Sequence, residues 1–194
     1  MSFRTEEKLL INKLQLTEFK EFLFKKKASK KFPSRKIQSL YFENFSEDMY
    51  SDSIEGIVPR KKIRVRNYLN NENLNLYLEM KVSSVEGRYK TRTIIDKKKF
   101  EDIKRLGIYD SQYGTCRPLI YVTYIRDYFQ LNDVRISIDE NIYYNLFSGR
   151  KLGYDINSIV ELKSAANKDK DELLETFPFQ RTRFSKYCNG FEKI

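Results

Sequence analysis

The stretch RKKIRVRNY, Arg60–Tyr68, followed by LYLEMKV, Leu76–Val82, decides how this chain is read. Successive side chains of a strand point to opposite faces. In the first stretch Ile63 and Val65 share one face while Arg64 and Arg66 share the other. In the second, Leu78, Met80 and Val82 oppose Glu79 and Lys81. A charged face turned to water is ordinary. Turned inward, it makes a charged cavity, which calls for a highly charged ligand because unpaired buried charge is costly.

The same alternation continues outward along the chain. Glu6 shares a face with Lys8; Arg88 with Lys90 and Arg92; Tyr124 with Arg126; Arg135 with Ser137 and Asp139; Glu161 with Lys163. Opposite them lie Val134, Ile136, Ile138, Val160 and Leu162, and Ile125 with Val122 and Ile120 nearby. A half-buried antiparallel sheet with one wet face shows such a pattern too. Two features favour convergence of the charged faces. Arg or Lys recurs on nearly every strand, and Tyr41, Phe42, Tyr77, Tyr89 and Phe129 supply apolar material for the outside.

Strands are expected at 6–12, 36–43, 60–68, 74–82, 87–95, 118–130, 134–144 and 156–164, with NNEN joining the third to the fourth as a hairpin. Thr17 is the expected N-cap of a helix carrying Phe19, Phe22 and Leu23. Asp96 caps a second helix, with Phe100, Ile103 and Leu106 on one face and Gly107 as its stop. FSEDMYSDSIEG reads as a loop or short helix, and FQRTRFSKYCNGF as a short helix stopped by Gly190. The expected fold class is α+β: a closed eight-stranded antiparallel β-barrel with a few flanking helices, in one domain over residues 1–194.

The chain has 194 residues, enough for a sizeable core, and 37 Lys and Arg against 27 acids, a formal net charge of +10. That excess points to an anionic partner without choosing among nucleic acid, phosphate chains and acidic surfaces. No apolar run approaches 18 residues, so no membrane span is expected, and the N-terminus lacks the apolar stretch of a signal peptide; the expected location is the cytoplasm. There is no His, which removes the commonest general base and the Ser-His and Cys-His pairs. Cys116 and Cys188 are two isolated thiols, too few for a zinc site, and read as reduced and structural. GRKLG, 149–153, is not a P-loop, since no Gly-Lys-Ser/Thr follows. The lysine runs at 25–27 and 97–99 read as solvated helix faces, and Tyr143 and Tyr144 as packing.

If the charged faces converge, Arg64, Arg66, Lys81, Lys90, Arg92, Arg126, Arg135 and Lys163 face Glu79, Asp139 and Glu161, eight cations against three carboxylates. Two like charges about 6 Å apart repel by roughly 3 kcal/mol at an effective dielectric near 20. A polyanion relieves that strain, and Arg forks match phosphate oxygens two at a time. The carboxylates then suit Mg²⁺ or Mn²⁺ beside the phosphates.

With EEK, KIRVR, LEMK, YKTR, VTYIRDYF, VRISID, VELK and FSKY in this order, the chain resembles the vacuolar transporter chaperone (VTC) domain over about residues 3–191. That domain is similar to polyphosphate polymerases and to the triphosphate tunnel metalloenzymes, relatives of CYTH triphosphatases. The resemblance implies that Lys8, Arg64, Arg66, Lys81, Lys90, Arg92, Arg126 and Arg135 line a tunnel for ATP and polyphosphate. It implies that Tyr124 positions phosphate, that Glu161 holds the metal, and that Ser185 and Lys186 close one tunnel mouth. Lys163 and Glu79 join these as an expected substrate-binding residue and a second metal carboxylate. Where CYTH triphosphatases begin Glu-x-Glu-x-Lys, this chain has Arg4, Glu6 and Lys8, which favours the VTC branch. The expected activity is transfer of the ATP γ-phosphoryl group to a polyphosphate chain. Alternatives are a triphosphatase of the same fold and a non-catalytic polyphosphate-binding module. A nucleic-acid binder is disfavoured for want of a basic helix stripe or an RNA motif.

Overall fold

The computed structural model describes residues 4–69, 75–165 and 175–194. Ten strands and four helices are described: β1 (Arg4–Ile11), α1 (Lys13–Lys25), β2 (Ser29–Glu43), α2 (Asp48–Glu55), β3 (Arg60–Tyr68), β4 (Leu76–Ser84), β5 (Gly87–Ile95) and α3 (Lys97–Leu106). They continue with β6 (Ile108–Asp110), β7 (Gly114–Leu131), β8 (Val134–Leu146), β9 (Lys151–Tyr154), β10 (Ser158–Ala165) and α4 (Lys186–Phe191). The expected NNEN connection lies outside the described residues.

The chain forms two compact units, one of residues 1–35, 124–142 and 154–184 and the other of 36–123, 143–153 and 185–194. The long strands β2, β7 and β8 each run through both. In the first unit the strand order is β1-β10-β8-β7-β2; in the second it is β7-β2-β3-β4-β5, with β6 on β7 and β9 on β8. The ladders β1·β10, β10·β8, β2·β3, β3·β4 and β4·β5 are antiparallel. The expected antiparallel strands with few helices are thus present, but as ten described strands in place of eight, the short β6 and β9 being the additions. Among the described residues the strand order is a path and not a ring.

In the first unit the apolar faces bury Leu9, Ile11, Ile136, Ile138, Val160 and Leu162 against Phe19 and Leu23 of α1 and Phe177. Phe19 and Leu23 are almost fully enclosed, and side chains of this size contribute about 1.5–3 kcal/mol each when buried. Phe19, Phe22, Phe177 and Phe179 pack ring to ring with centroids 5.2–6.2 Å apart. The expected N-cap at Thr17 is corrected. Helix α1 starts a turn earlier, where Asn12 accepts from the Gln15 amide at 2.9 Å and Gln15 Oε1 accepts from the Asn12 amide at 3.1 Å, closing a capping box.

In the second unit Asp96 caps α3 as expected, accepting from the Lys99 amide at 2.7 Å, and Gly107 ends the helix at φ 86°. A Cβ on Gly107 would lie 2.6 Å from the Cys116 carbonyl. Gly190 does not stop the last helix. It sits inside α4, where a Cβ would come within 2.6 Å of Tyr144 and 2.8 Å of Ile120. Tyr144 is indeed packing, but Tyr143 is half exposed. Ile125 is also partly open, while Ile120, Val122 and Tyr124 are buried. Both cysteines are free and buried. No described helix is long and apolar enough to cross a membrane, which says nothing of strands.

Candidate phosphate-binding faces

The charged rungs of β3 are not a wet face. Arg64 is 9% exposed and Arg66 6%, hardly more than Ile63 and Val65 across the strand. Antiparallel register arranges the second unit's charged face in rows. Lys62, Lys81 and Lys90 stand opposite one another; next come Tyr41, Arg64, Glu79 and Arg92; then Ser39, Arg66, Tyr77 and Ile94. Of the six cations in these three rows, four surround one carboxylate, that of Glu79.

Glu79 is 1% exposed and ringed by cations: Arg64 at 2.7 Å, Lys90 at 2.5 Å, Arg92 at 3.5 Å and Arg66 at 3.7 Å. Burial pushes its carboxyl up, but Arg64, Arg66 and Lys90 outweigh that and hold it down to about 2. Lys90 shows the other side of the same crowd. Burial lowers its ammonium, and the like charges of Arg64 and Arg66 add to that, with Glu79 opposing. Both directions follow from one carboxylate serving too many cations.

Arg64 also donates from Nη1 to the Tyr41 hydroxyl at 2.8 Å. Burial raises the Tyr41 phenol, yet the charges of Arg64, Arg66 and Lys186 bring it down to about 8. Lys62 donates to Ser185 Oγ at 2.8 Å, and Ser185 caps α4 by accepting from the Cys188 amide at 3.3 Å. The expected residues Ser185 and Lys186 are therefore joined to this face through Lys62 and Tyr41. Lys81, Lys90 and Arg92 are exposed residues.

The first unit holds a second charged face. Register sets Glu6 opposite Lys163, which faces Arg135, and Lys8 opposite Glu161, which faces Ser137. Arg126 grips Asp139 with two bonds of 2.5 and 2.7 Å and approaches Glu161 to 3.6 Å. Its guanidinium lies 5.4 Å from the Tyr124 ring centroid, the support that Tyr124 provides. Lys163 reaches Glu161 at 3.0 Å and Glu6 at 3.8 Å, and Lys8 donates to the Phe184 carbonyl at 2.6 Å. Arg135 is exposed. Burial acts to raise the Glu161 carboxyl, but a hydrogen bond shared with Glu6 and the charges of Arg126, Lys163 and Lys8 hold it well below the usual carboxylate range.

The two faces differ in charge balance. Lys8, Arg126, Arg135 and Lys163 are nearly matched by Glu6, Asp139 and Glu161, whereas the face around Glu79 is strongly cationic. Of the two carboxylates expected to hold a metal, Glu161 has a second carboxyl, Glu6, beside it; Glu79 has only cations. Among the described residues no group of three or more His, Cys, Asp or Glu is placed to hold a metal alone. A Glu6–Glu161 pair of hard oxygens fits Mg²⁺ or Mn²⁺ whose other positions are filled by water and substrate phosphates.

Sequence reasoning passed over Lys62 and Glu43, and its placing of Tyr41 and Tyr77 on the apolar outside is corrected, since Tyr41 bonds Arg64 and Tyr77 lies beneath Arg92 on the charged face. Lys62 was visible in principle, since it alternates with Arg64 and Arg66. Tyr41 sits in the apolar run SLYF, where nothing marks a hydroxyl aimed at a guanidinium. Glu43 ends β2 and accepts from the amides of Met49 at 3.2 Å and Tyr50 at 2.9 Å, and from the Tyr187 hydroxyl. Burial pushes its carboxyl up to about 7 despite those donors.

Comparison with solved structures finds the same fold at low identity. PH1819 from Pyrococcus horikoshii OT3 matches with a TM-score of 0.63 and 16% identity over 99% of this chain and 100% of that one. A candidate adenylate cyclase (bh2851) from Bacillus halodurans matches at 0.63 and 12% over 95% and 94%. HpAC1 from Hippeastrum, described as an adenylyl cyclase candidate with a dominant triphosphatase activity, matches at 0.63 and 14% over 98% and 96%. No match was found among curated proteins. Residues 3–194 match the VTC domain, which confirms the resemblance drawn from the eight short motifs. The chain belongs to the VTC domain family.

Proposed function

We propose that this chain is a metal-dependent phosphotransferase that moves the γ-phosphoryl group of ATP onto a polyphosphate chain. The observation that carries the reading is the cluster in which Arg64, Arg66, Lys90 and Arg92 surround the carboxylate of Glu79, with Lys62 and Lys81 in the adjoining row and Lys81, Lys90 and Arg92 accessible to solvent. Arg64, Arg66, Lys81 and Lys90 hold phosphate oxygens, with Arg forks taking two at a time, and Arg92 is a further substrate-binding residue beside them. Ser185 and Lys186 add contacts through α4. Lys8, Arg126, Arg135 and Lys163 supply positive charge around Glu161, and Tyr124 holds the Arg126 guanidinium in place. One tunnel domain spanning residues 1–194 and closed as a barrel is part of this proposal; family membership is what supports it.

Phosphoryl transfer asks for alignment and charge neutralisation more than for covalent chemistry. The terminal phosphate of a chain is already an anionic nucleophile, so the absence of His costs nothing. Arg64 and Arg66 are buried in fixed rotamers by Glu79, Tyr41 and Ser39, so they are oriented before substrate arrives. Glu161, with Glu6, would hold Mg²⁺ or Mn²⁺, whose charge neutralises phosphate oxygens when bound.

A triphosphatase is the second reading, favoured by the fold likeness to HpAC1. The same cationic faces would serve water as the attacker. Purified protein with ATP and Mn²⁺ or Mg²⁺ separates the two: a polyphosphate ladder on a gel supports transfer, while ADP and free phosphate alone indicate hydrolysis. No consumption of ATP or tripolyphosphate, with binding retained, would leave a polyphosphate-binding module. Short tripolyphosphate should also displace any bound nucleic acid, which an extended basic groove would resist.

A further inference from the structure

The charged face of the second unit changes character along its strands. One row holds Lys62, Lys81 and Lys90, opposite one another; two rows on, the positions are Arg66, Tyr77 and Ile94, with Tyr68 beyond Arg66 on β3. Tyr68 and Tyr77 meet edge to face with centroids 5.8 Å apart. Between the lysine row and the aromatic pair lies Arg92. Its guanidinium is 3.6 Å from the Tyr77 ring centroid and 5.8 Å from that of Tyr68, and its Nε is 3.5 Å from Glu79. A guanidinium that close to a ring is stacked on it, and the pairing with Glu79 fixes its plane.

The Arg92 side chain is 40% exposed, and Ile94, the next residue on the same face, is 63% exposed. A face built only for phosphate has no use for a stacked, half-open guanidinium beside an exposed isoleucine at one end. A flat aromatic ligand group does. Rows along a strand are spaced by roughly 7 Å per two residues, so a ligand with its ring on Arg92 brings an attached phosphate chain past Lys90 and on towards Arg88.

Resting on the phosphotransferase reading above, we infer that Arg92, Ile94, Tyr68 and Tyr77 form a nucleobase platform that orients a nucleoside triphosphate on this face. The base stacks on the outer side of the Arg92 guanidinium, and Ile94 flanks it. The triphosphate points to the row of Lys62, Lys81 and Lys90. The site therefore distinguishes a nucleoside triphosphate from inorganic tripolyphosphate by the base alone, without reading its hydrogen-bonding edge.

Arg92→Lys tests this, because it keeps the charge and removes the flat surface. Affinities of the variant and wild type for ATP, GTP and inorganic tripolyphosphate are measured by calorimetry at one ionic strength. Stacking of a base on such a surface predicts that the variant binds ATP and GTP about tenfold more weakly. Tripolyphosphate affinity should change less than about twofold. Ile94→Ala, on an exposed strand position, should weaken nucleotide binding in the same selective way. Equal losses for nucleotide and tripolyphosphate would make Arg92 a phosphate ligand only and overturn the platform. No loss for any ligand would overturn it too. Wild-type protein that binds neither nucleotide nor tripolyphosphate would sink the phosphotransferase reading itself, a distinct result.

Discussion

Replacing Glu79 by Gln keeps the size of the side chain and removes the one negative charge among Arg64, Arg66, Lys90 and Arg92, all within 3.7 Å of it. Removing one partner of a buried ion pair costs about 3–5 kcal/mol, because the remaining charges are left uncompensated. Titration gives a similar figure. A carboxyl lowered from 4.5 to about 2 in the folded chain contributes about 3 kcal/mol of stability at neutral pH. Because the folded value lies below the unfolded one, that stability is present above pH 4.5 and is lost as pH falls towards 2. At about 2–4 °C per kcal/mol for a chain of this size, Glu79→Gln should melt roughly 6–12 °C below wild type at pH 7. The gap should narrow as pH drops below 4.5. Tripolyphosphate should narrow it as well, since the bound ligand returns negative charge to the cluster. Thermal melts with and without tripolyphosphate, across pH, are the assay. A variant as stable as wild type, or a gap unaffected by tripolyphosphate, would refute the claim that Glu79 neutralises this cation cluster.

Three further outcomes are expected. Glu161→Ala should lower turnover by about a hundredfold or more while tripolyphosphate still raises the melting temperature, which separates catalysis from binding. Phenolate absorbance should show one tyrosine ionising near pH 8, missing in Tyr41→Phe; because the phenolate puts a negative charge beside Arg64, wild-type affinity for tripolyphosphate should fall as pH rises through 8, and the variant should lack that step. Gly190→Ala should destabilise by about 1–3 kcal/mol in chemical denaturation, since its Cβ would sit 2.6 Å from Tyr144 and 2.8 Å from Ile120.

Much of the site was legible because it depends on period-two alternation, which needs no tertiary information. Arg64, Arg66, Glu79 and Lys81 stand on the faces expected, and the buried carboxylates Glu79, Asp139 and Glu161 are those expected to turn away from water. What alternation cannot supply is register. That Lys62, Lys81 and Lys90 line up, or that Glu6 stands opposite Lys163, depends on how neighbouring strands slide, and a slide of one residue would reverse every face. Local signals also competed. Thr17 resembled a cap, but the reciprocal bonds of Asn12 and Gln15 satisfy two helix donors at once and win. Gly190 resembled a stop, but its role is to let α4 approach Tyr144. The first half of β2 escaped notice because its residues are mostly exposed and polar and show no alternation of apolar side chains.

The most direct measurement is a phosphorus NMR time course of purified protein with ATP, Mg²⁺ or Mn²⁺ and a short polyphosphate primer. The account predicts loss of the ATP γ-phosphate signal with matching growth of internal polyphosphate signal, and neither change for Glu161→Ala. ATP that persists unchanged, with no shift of the tripolyphosphate resonances on adding protein, would contradict it.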